Sequence, residues 1–136
     1  MRTVKDVEAY LEKLNRAHTA VAGQEGTFLL HPGSDAMPPM VVRVDPPLVI
    51  VRVHVGDAPD GAPAGLFRKL LELNVRSLVH ASYGLEGNRI VLSSALELEN
   101  LDFNEIEATV DEIDLALAQQ VPDLVRLAQS AGATTR

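Results

Sequence analysis

Four histidines, one Ser-Ser pair and a dense set of carboxylates are the residues of this chain with chemistry to offer. His18, His31, His54 and His80 include no pair at i, i+4 and no His-Glu-x-x-His pattern, the spacing that sets two imidazoles on one helix face for zinc. His31, His54 and His80 fall on three separate expected strands, so only the fold decides whether they converge on a metal. Ser93-Ser94 lies inside an expected strand and not on the strained strand-to-helix turn that exposes a nucleophile. Gly84 and Gly87 flank a hairpin tip with no lysine after them, which is not a phosphate cradle. The chain has no cysteine, which removes disulfides, thiolate zinc sites and thiol nucleophiles. No catalytic constellation emerges, and neither enzyme activity nor a cofactor is expected.

The carboxylates are unevenly placed. The 136 residues hold 19 Asp+Glu against 12 Lys+Arg, a formal charge of −7. Nine of the acids (Glu97, Glu99, Asp102, Glu105, Glu107, Asp111, Glu112, Asp114 and Asp123) lie between Ile90 and Val125, where no Lys or Arg occurs. The rest of the chain is therefore slightly basic. Such a run reads either as a solvated helix face or as an electrostatic docking surface for a basic partner. The calcium-loop pattern of alternating acids around a glycine is absent. Phosphate neutralisation needs clustered Lys and Arg, so a nucleic-acid partner is not expected. No apolar run approaches the roughly 20 residues that span a bilayer, and Met1–Asp6 lacks the apolar core of a secretory signal. A cytoplasmic protein without membrane contact is the expectation.

The elements that position these residues follow from periodicity. Val4, Val7, Leu11, Leu14, His18 and Val21 recur at spacings of three and four, predicting one amphipathic helix that Gly23 and Gly26 end. Thr3 with Asp6 forms an approximate capping box. Strands are expected at Thr27–His31, Met40–Val44 and Leu48–Val55, with a loop over Ser34–Pro39 and a turn at Asp45-Pro46-Pro47. In the strongest strand Val49, Val51, Val53 and Val55 point one way and Ile50, Arg52 and His54 the other, as in an antiparallel sheet covered on one side. After a Gly56–Gly65 loop, a second helix to about Ser77 carries Leu66, Phe67, Leu70, Leu73 and Asn74 on one face. Val79–Leu85 and Arg89–Leu98 form a hairpin around Glu86-Gly87-Asn88, where Gly and Asn supply positive φ. Phe103, Ile106, Val110, Ile113, Leu117, Val121 and Leu124 stripe a final helix that Pro122 kinks or divides. Leu115 falls opposite that stripe, a position open to a subunit contact. The order is α-βββ-α-ββ-α: one α+β domain over residues 1–136, an antiparallel twisted sheet flanked by helices, with 131–136 fraying.

One stretch carries a family resemblance. Leu70-Leu71-Glu72-Leu73-Asn74, a hairpin tipped by Gly87-Asn88, Ile90-Val91-Leu92, Leu96-Glu97-Leu98 and a helix opened by Leu101-Asp102 together resemble the type III secretion chaperone-like superfamily, which includes CesT-type chaperones and YbjN-type proteins. The resemblance implies a small acidic protein that dimerises and binds a partner protein without catalysis. It also implies a dimer interface around the second helix and following strand, here Leu66, Leu70, Leu73, Val79, Ala81 and Tyr83. The first helix, through Val4, Val7, Leu11 and Leu14, offers either a groove for a partner segment or a face buried against this chain's own sheet. A sheet edge can also accept an extended strand. YbjN-like regulatory or stress-linked binding, and a ligand or enzymatic pocket between sheet and helices, are the alternative readings.

Overall fold

The computed structural model describes residues 1–32 and 37–134, with side chains to residue 129. The elements are α1 (Val4–Lys13), β1 (His18–Ala20), β2 (Thr27–Leu30), β3 (Met40–Asp45), β4 (Leu48–Asp57), α2 (Ala64–Arg76), β5 (Ser82–Glu86), β6 (Arg89–Glu97), α3 (Phe103–Gln119) and α4 (Val121–Thr134). The strands form one antiparallel sheet in the order β1-β2-β3-β4-β6-β5. The α+β class expected from the sequence is borne out, with one strand and one helix more than the periodicity predicted.

The additional strand corrects the first helix. Thr3 and Asp6 do form a reciprocal capping box. The helix stops at Lys13 with Leu14 as its C-cap, because Asn15 takes a left-handed φ of 58°, a conformation asparagine tolerates after a helix end. His18 and Val21 are thus not helical, and His18–Ala20 pairs with Leu30–Phe28 as an edge strand. Within the expected Ser34–Pro39 loop, Ser34, Asp35 and Ala36 lie outside the described residues.

In β4 the predicted alternation holds through Val53. Val49, Val51 and Val53 are fully buried, while Arg52 is half-buried and His54 exposed. A register shift between His54 and Gly56 then inserts Val55 as an extra residue, half-buried and still packed against the core. In the β5–β6 hairpin Glu86 pairs with Arg89, and Gly87 alone takes positive φ, at 61°. The expected strand at Val79 begins only at Ser82. The final helix is divided at Gln120, two residues ahead of Pro122, which lacks the backbone donor to continue the first helix. The helix continues to Thr134, where fraying was expected, and residues 135–136 lie outside the described part.

One apolar cluster joins the layers. Phe28, Leu30, Met40, Val42, Val51 and Leu92 from one sheet face meet Val7 and Leu11 of α1, Leu66 and Leu70 of α2, and Ile106, Val110 and Ile113 of α3. Directly paired residues share a sheet face, so Val41, Arg52, Ser93 and Ser82 form one row on the opposite side. Among the described residues no helix covers that opposite face.

Candidate partner-binding surfaces

The residues singled out in the sequence divide by burial. Val7 and Leu11 have no exposed surface, and Val4 and Leu14 are half-buried against the same core. The α1 stripe therefore seats the helix on its own sheet. Of the six residues expected at a dimer interface, Leu66, Leu70, Leu73, Ala81 and Tyr83 are buried within this chain. Val79 alone of the six is exposed, at 84%. Helical spacing located the apolar face of α2 but could not say that its opposite face is also partly apolar. There Leu71 and Val75 stand 67% and 85% exposed, flanked by Arg68, Glu72 and Arg76. Leu115, one turn past Glu112 on α3, is 55% exposed.

The two sheet edges differ. An antiparallel strand points the N–H and C=O of alternate residues toward its neighbour and those of the others away. Along β5 and the residue that leads into it, the outward residues are Ala81, Tyr83 and Leu85. Asn74 of α2 takes both groups of Tyr83: its Oδ1 accepts the Tyr83 N–H at 2.7 Å and its Nδ2 donates to the Tyr83 carbonyl at 3.1 Å. The Ala81 N–H donates to Glu112 Oε1 at 3.0 Å, and Val79 and His80 N–H groups donate to the same oxygen at 2.9 Å. Side chains thus occupy this edge at Ala81 and Tyr83, its half nearest α2. Sequence alone marked Asn74 by its motif and left its partner unassigned.

On β1 the His31 N–H donates to the Ala17 carbonyl at 2.8 Å and the Val21 N–H to the Thr27 carbonyl at 2.9 Å. These bonds set the phase, so His18 and Ala20 direct their backbone groups outward. Among the described residues none satisfies them. Beside this edge lies a cleft of about 480 Å³ lined by Val4, Glu8, Ala20, Val21, Gln24 and Phe28. An open ladder beside an apolar-floored cleft can hold an extended chain by backbone bonds and side-chain seating.

The uncovered sheet face forms a basin of about 710 Å³ that includes Arg43, Arg52, Arg89, His54, His80 and Glu86. Arg52 donates to Glu86 at 2.8 Å and Arg89 stands 3.8 Å from the same carboxylate. The Arg52 contact, chiefly, holds the Glu86 carboxyl below its ordinary pKa. His54 and His80 share the basin, but His31 bonds Thr19 elsewhere at 3.2 Å. Among the described residues no group of three or more His, Asp or Glu is placed to hold a metal. Ser94 is buried and donates to the His80 carbonyl at 2.7 Å.

Several acids of the 90–125 run serve the chain itself. Asp102 and Glu105 form the α3 capping box, Asp114 pairs with Arg16 at 2.6 Å, and Asp123 pairs with Arg126. No helix among the described residues is long and apolar enough to cross a membrane.

The comparisons agree with this architecture. None of the curated proteins matches the chain by sequence. A chain of the heterodimeric ExoU–SpcU complex from the type III secretion system of Pseudomonas aeruginosa superposes with TM-score 0.69 at 20% identity, covering 85% of this chain and 95% of its own. The Yersinia pestis type III secretion chaperone SycH, solved with a fragment of YscM2, gives 0.60 at 12% identity, over 85% and 98%. YbjN from E. coli gives 0.60 at 12% identity, over 98% and 93%. At such identities these likenesses speak to the fold. The CesT_Tir_1 family model matches residues 1–130, nearly the whole sequence, and the chain therefore belongs to that family.

Proposed function

We infer that this chain is a non-enzymatic, chaperone-like protein that holds an extended segment of a partner protein and works in the cytoplasm as a homodimer. The observation that carries the reading is the contrast between the two sheet edges. Asn74 and Glu112 occupy the β5 edge at Tyr83 and Ala81, while β1 leaves the backbone of His18 and Ala20 open beside a cleft. A chaperone solved with a bound protein, SycH with YscM2, and the heterodimeric ExoU–SpcU complex of a type III secretion system are structural neighbours that support it. The likeness to YbjN runs over 98% of this chain, against 85% for the secretion chaperones. That favours, as a second reading, a binding protein outside any export system.

The dimer forms through the outer face of α2. Leu71 and Val75 there, and Val79 just beyond the helix end, are apolar and more than half exposed, and two copies related by a two-fold axis bury the same patch against itself. Size-exclusion chromatography with light scattering is expected to give twice the chain mass of 14.7 kDa. Leu71→Glu with Val75→Glu is expected to return it to a monomer with the same thermal unfolding of the single chain. A monomer at every concentration overturns the dimer.

Ala20→Pro tests the edge. The Ala20 N–H points away from β2, so proline removes no existing ladder bond but withdraws the donor an added strand needs. Proteins retained from the source cells by the wild type are expected to be lost with Ala20→Pro while the fold persists. Unchanged retention overturns strand addition at β1.

A further inference from the structure

We propose that the uncovered sheet face is a second contact for the same partner, one that selects an extended segment carrying acidic residues at alternate positions. This rests on the protein-holding reading and names the chemistry of the segment.

The arginines of this face form a diagonal ladder. Arg43 pairs with Ile50, so Arg52, two residues further along β4, is its diagonal neighbour, and such neighbours lie about 7–8 Å apart. Side chains on one face of an extended peptide repeat every two residues, roughly 6.5–7 Å. Carboxylates at i and i+2 of a crossing segment therefore match Arg43 and Arg52. Between and beyond them Val41, Ile50 and Ala95 give the segment apolar floor to lie on.

The charge of the basin runs against that of the molecule. Its lining holds three arginines and one carboxylate, Glu86, which two of the arginines share. Among the described residues Arg43 pairs with Asp45, and both are about half exposed. Surface pairs of this kind contribute little, so an incoming carboxylate can take an arginine without breaking anything strong. Of the nine acids of the 90–125 run, Glu97 alone is on a strand of this face, opposite Leu48 at the end beyond the basin lining. The basin is open and spans β3, β4, β6 and β5, a shape for a polypeptide strand more than for an enclosed small molecule.

Fluorescein-labelled octapeptides of alternating Glu and Val, Gln and Val, and Lys and Val give the test by fluorescence anisotropy at low salt. A protein of charge −7 acting only through its overall field would prefer the lysine peptide. The expected result is that the glutamate peptide binds about tenfold more tightly than the glutamine one, and that Arg43→Gln with Arg52→Gln removes about that tenfold. Amide shifts on adding the glutamate peptide are expected on β3, β4 and β6, and Ala20→Pro is expected to leave its binding unchanged. Equal binding of the glutamate and glutamine peptides, indifference to the arginine substitutions, dependence on Ala20 or preference for a single-stranded oligonucleotide would each overturn it. The two readings fail separately: loss of this one leaves Ala20-dependent retention of partner proteins intact, and loss of the edge leaves peptide binding intact.

Discussion

Glu112 does more than its place in an acidic run suggests. Its Oε1 accepts three consecutive backbone N–H groups, from Val79, His80 and Ala81, and Oε2 accepts His80 again at 3.1 Å. Those donors have no strand to pair with, because β5 starts only at Ser82. Hydrogen bonds to a charged acceptor contribute about 1.5–3 kcal/mol each when buried, and this site is only partly shielded. Glu112→Ala is expected to cost about 2 kcal/mol, and Glu112→Gln, which keeps one acceptor oxygen without the charge, about half. Urea unfolding measures both; wild-type stability in the alanine variant would show that water replaces the carboxylate freely. The acidity of this region was legible in the sequence, but its use was not. The donors are 31 to 33 residues away, and Asp114 meets Arg16 across 98 residues, separations over which composition carries no signal.

Elements were legible where period and burial agree. The valine alternation of β4 and the Leu66, Leu70, Leu73 face of α2 match their buried sides because one face of each meets the core. Reading failed at β1, where His18 and Val21 keep the three-and-four spacing of α1 by coincidence while Asn15 turns the chain away. Three residues are too few for an alternation to show. The site suffered likewise: spacing identifies an apolar face, not whether its own chain or a partner covers it. α2 makes this concrete, since its inner leucines fill the core while Asn74 reaches the backbone of Tyr83 and occupies the sheet edge. Asn74→Ala is expected to free that edge at about 1 kcal/mol of stability. The exposed ladder then invites strand pairing between copies. Light scattering is expected to show concentration-dependent association beyond the size of the wild type, and an unaltered size distribution would mean that α2 blocks the edge without its asparagine.

Three parts of the molecule meet at Tyr83. Its backbone is held by α2 through Asn74, its ring is 6% exposed among the core residues of the sheet, and its hydroxyl donates to Gln120 Oε1 at 2.7 Å. Gln120 is the break between α3 and α4, and its carbonyl accepts the Leu124 N–H at 3.1 Å that begins the second helix. Burial pushes the Tyr83 pKa up to about 12 from its usual 10.0, since a phenolate there would lose its water. The unfolded chain therefore gives up this proton more readily than the folded one. Tyr83 contributes its full stability below about pH 10 and loses it as pH rises through about 12. The loss is about 1 kcal/mol at pH 11 and about 2 kcal/mol beyond the folded pKa, once residual contact with water is allowed for. Tyr10→Phe leaves Tyr83 as the one tyrosine of the chain, so phenolate absorbance follows it alone. Ionisation near pH 12 in the folded protein, with urea unfolding that weakens above pH 10 and a Tyr83→Phe variant that lacks this weakening, is the expected set. Ionisation at the ordinary value would mean that the hydroxyl meets solvent and that Gln120 does not tie the helical layer to the sheet edge.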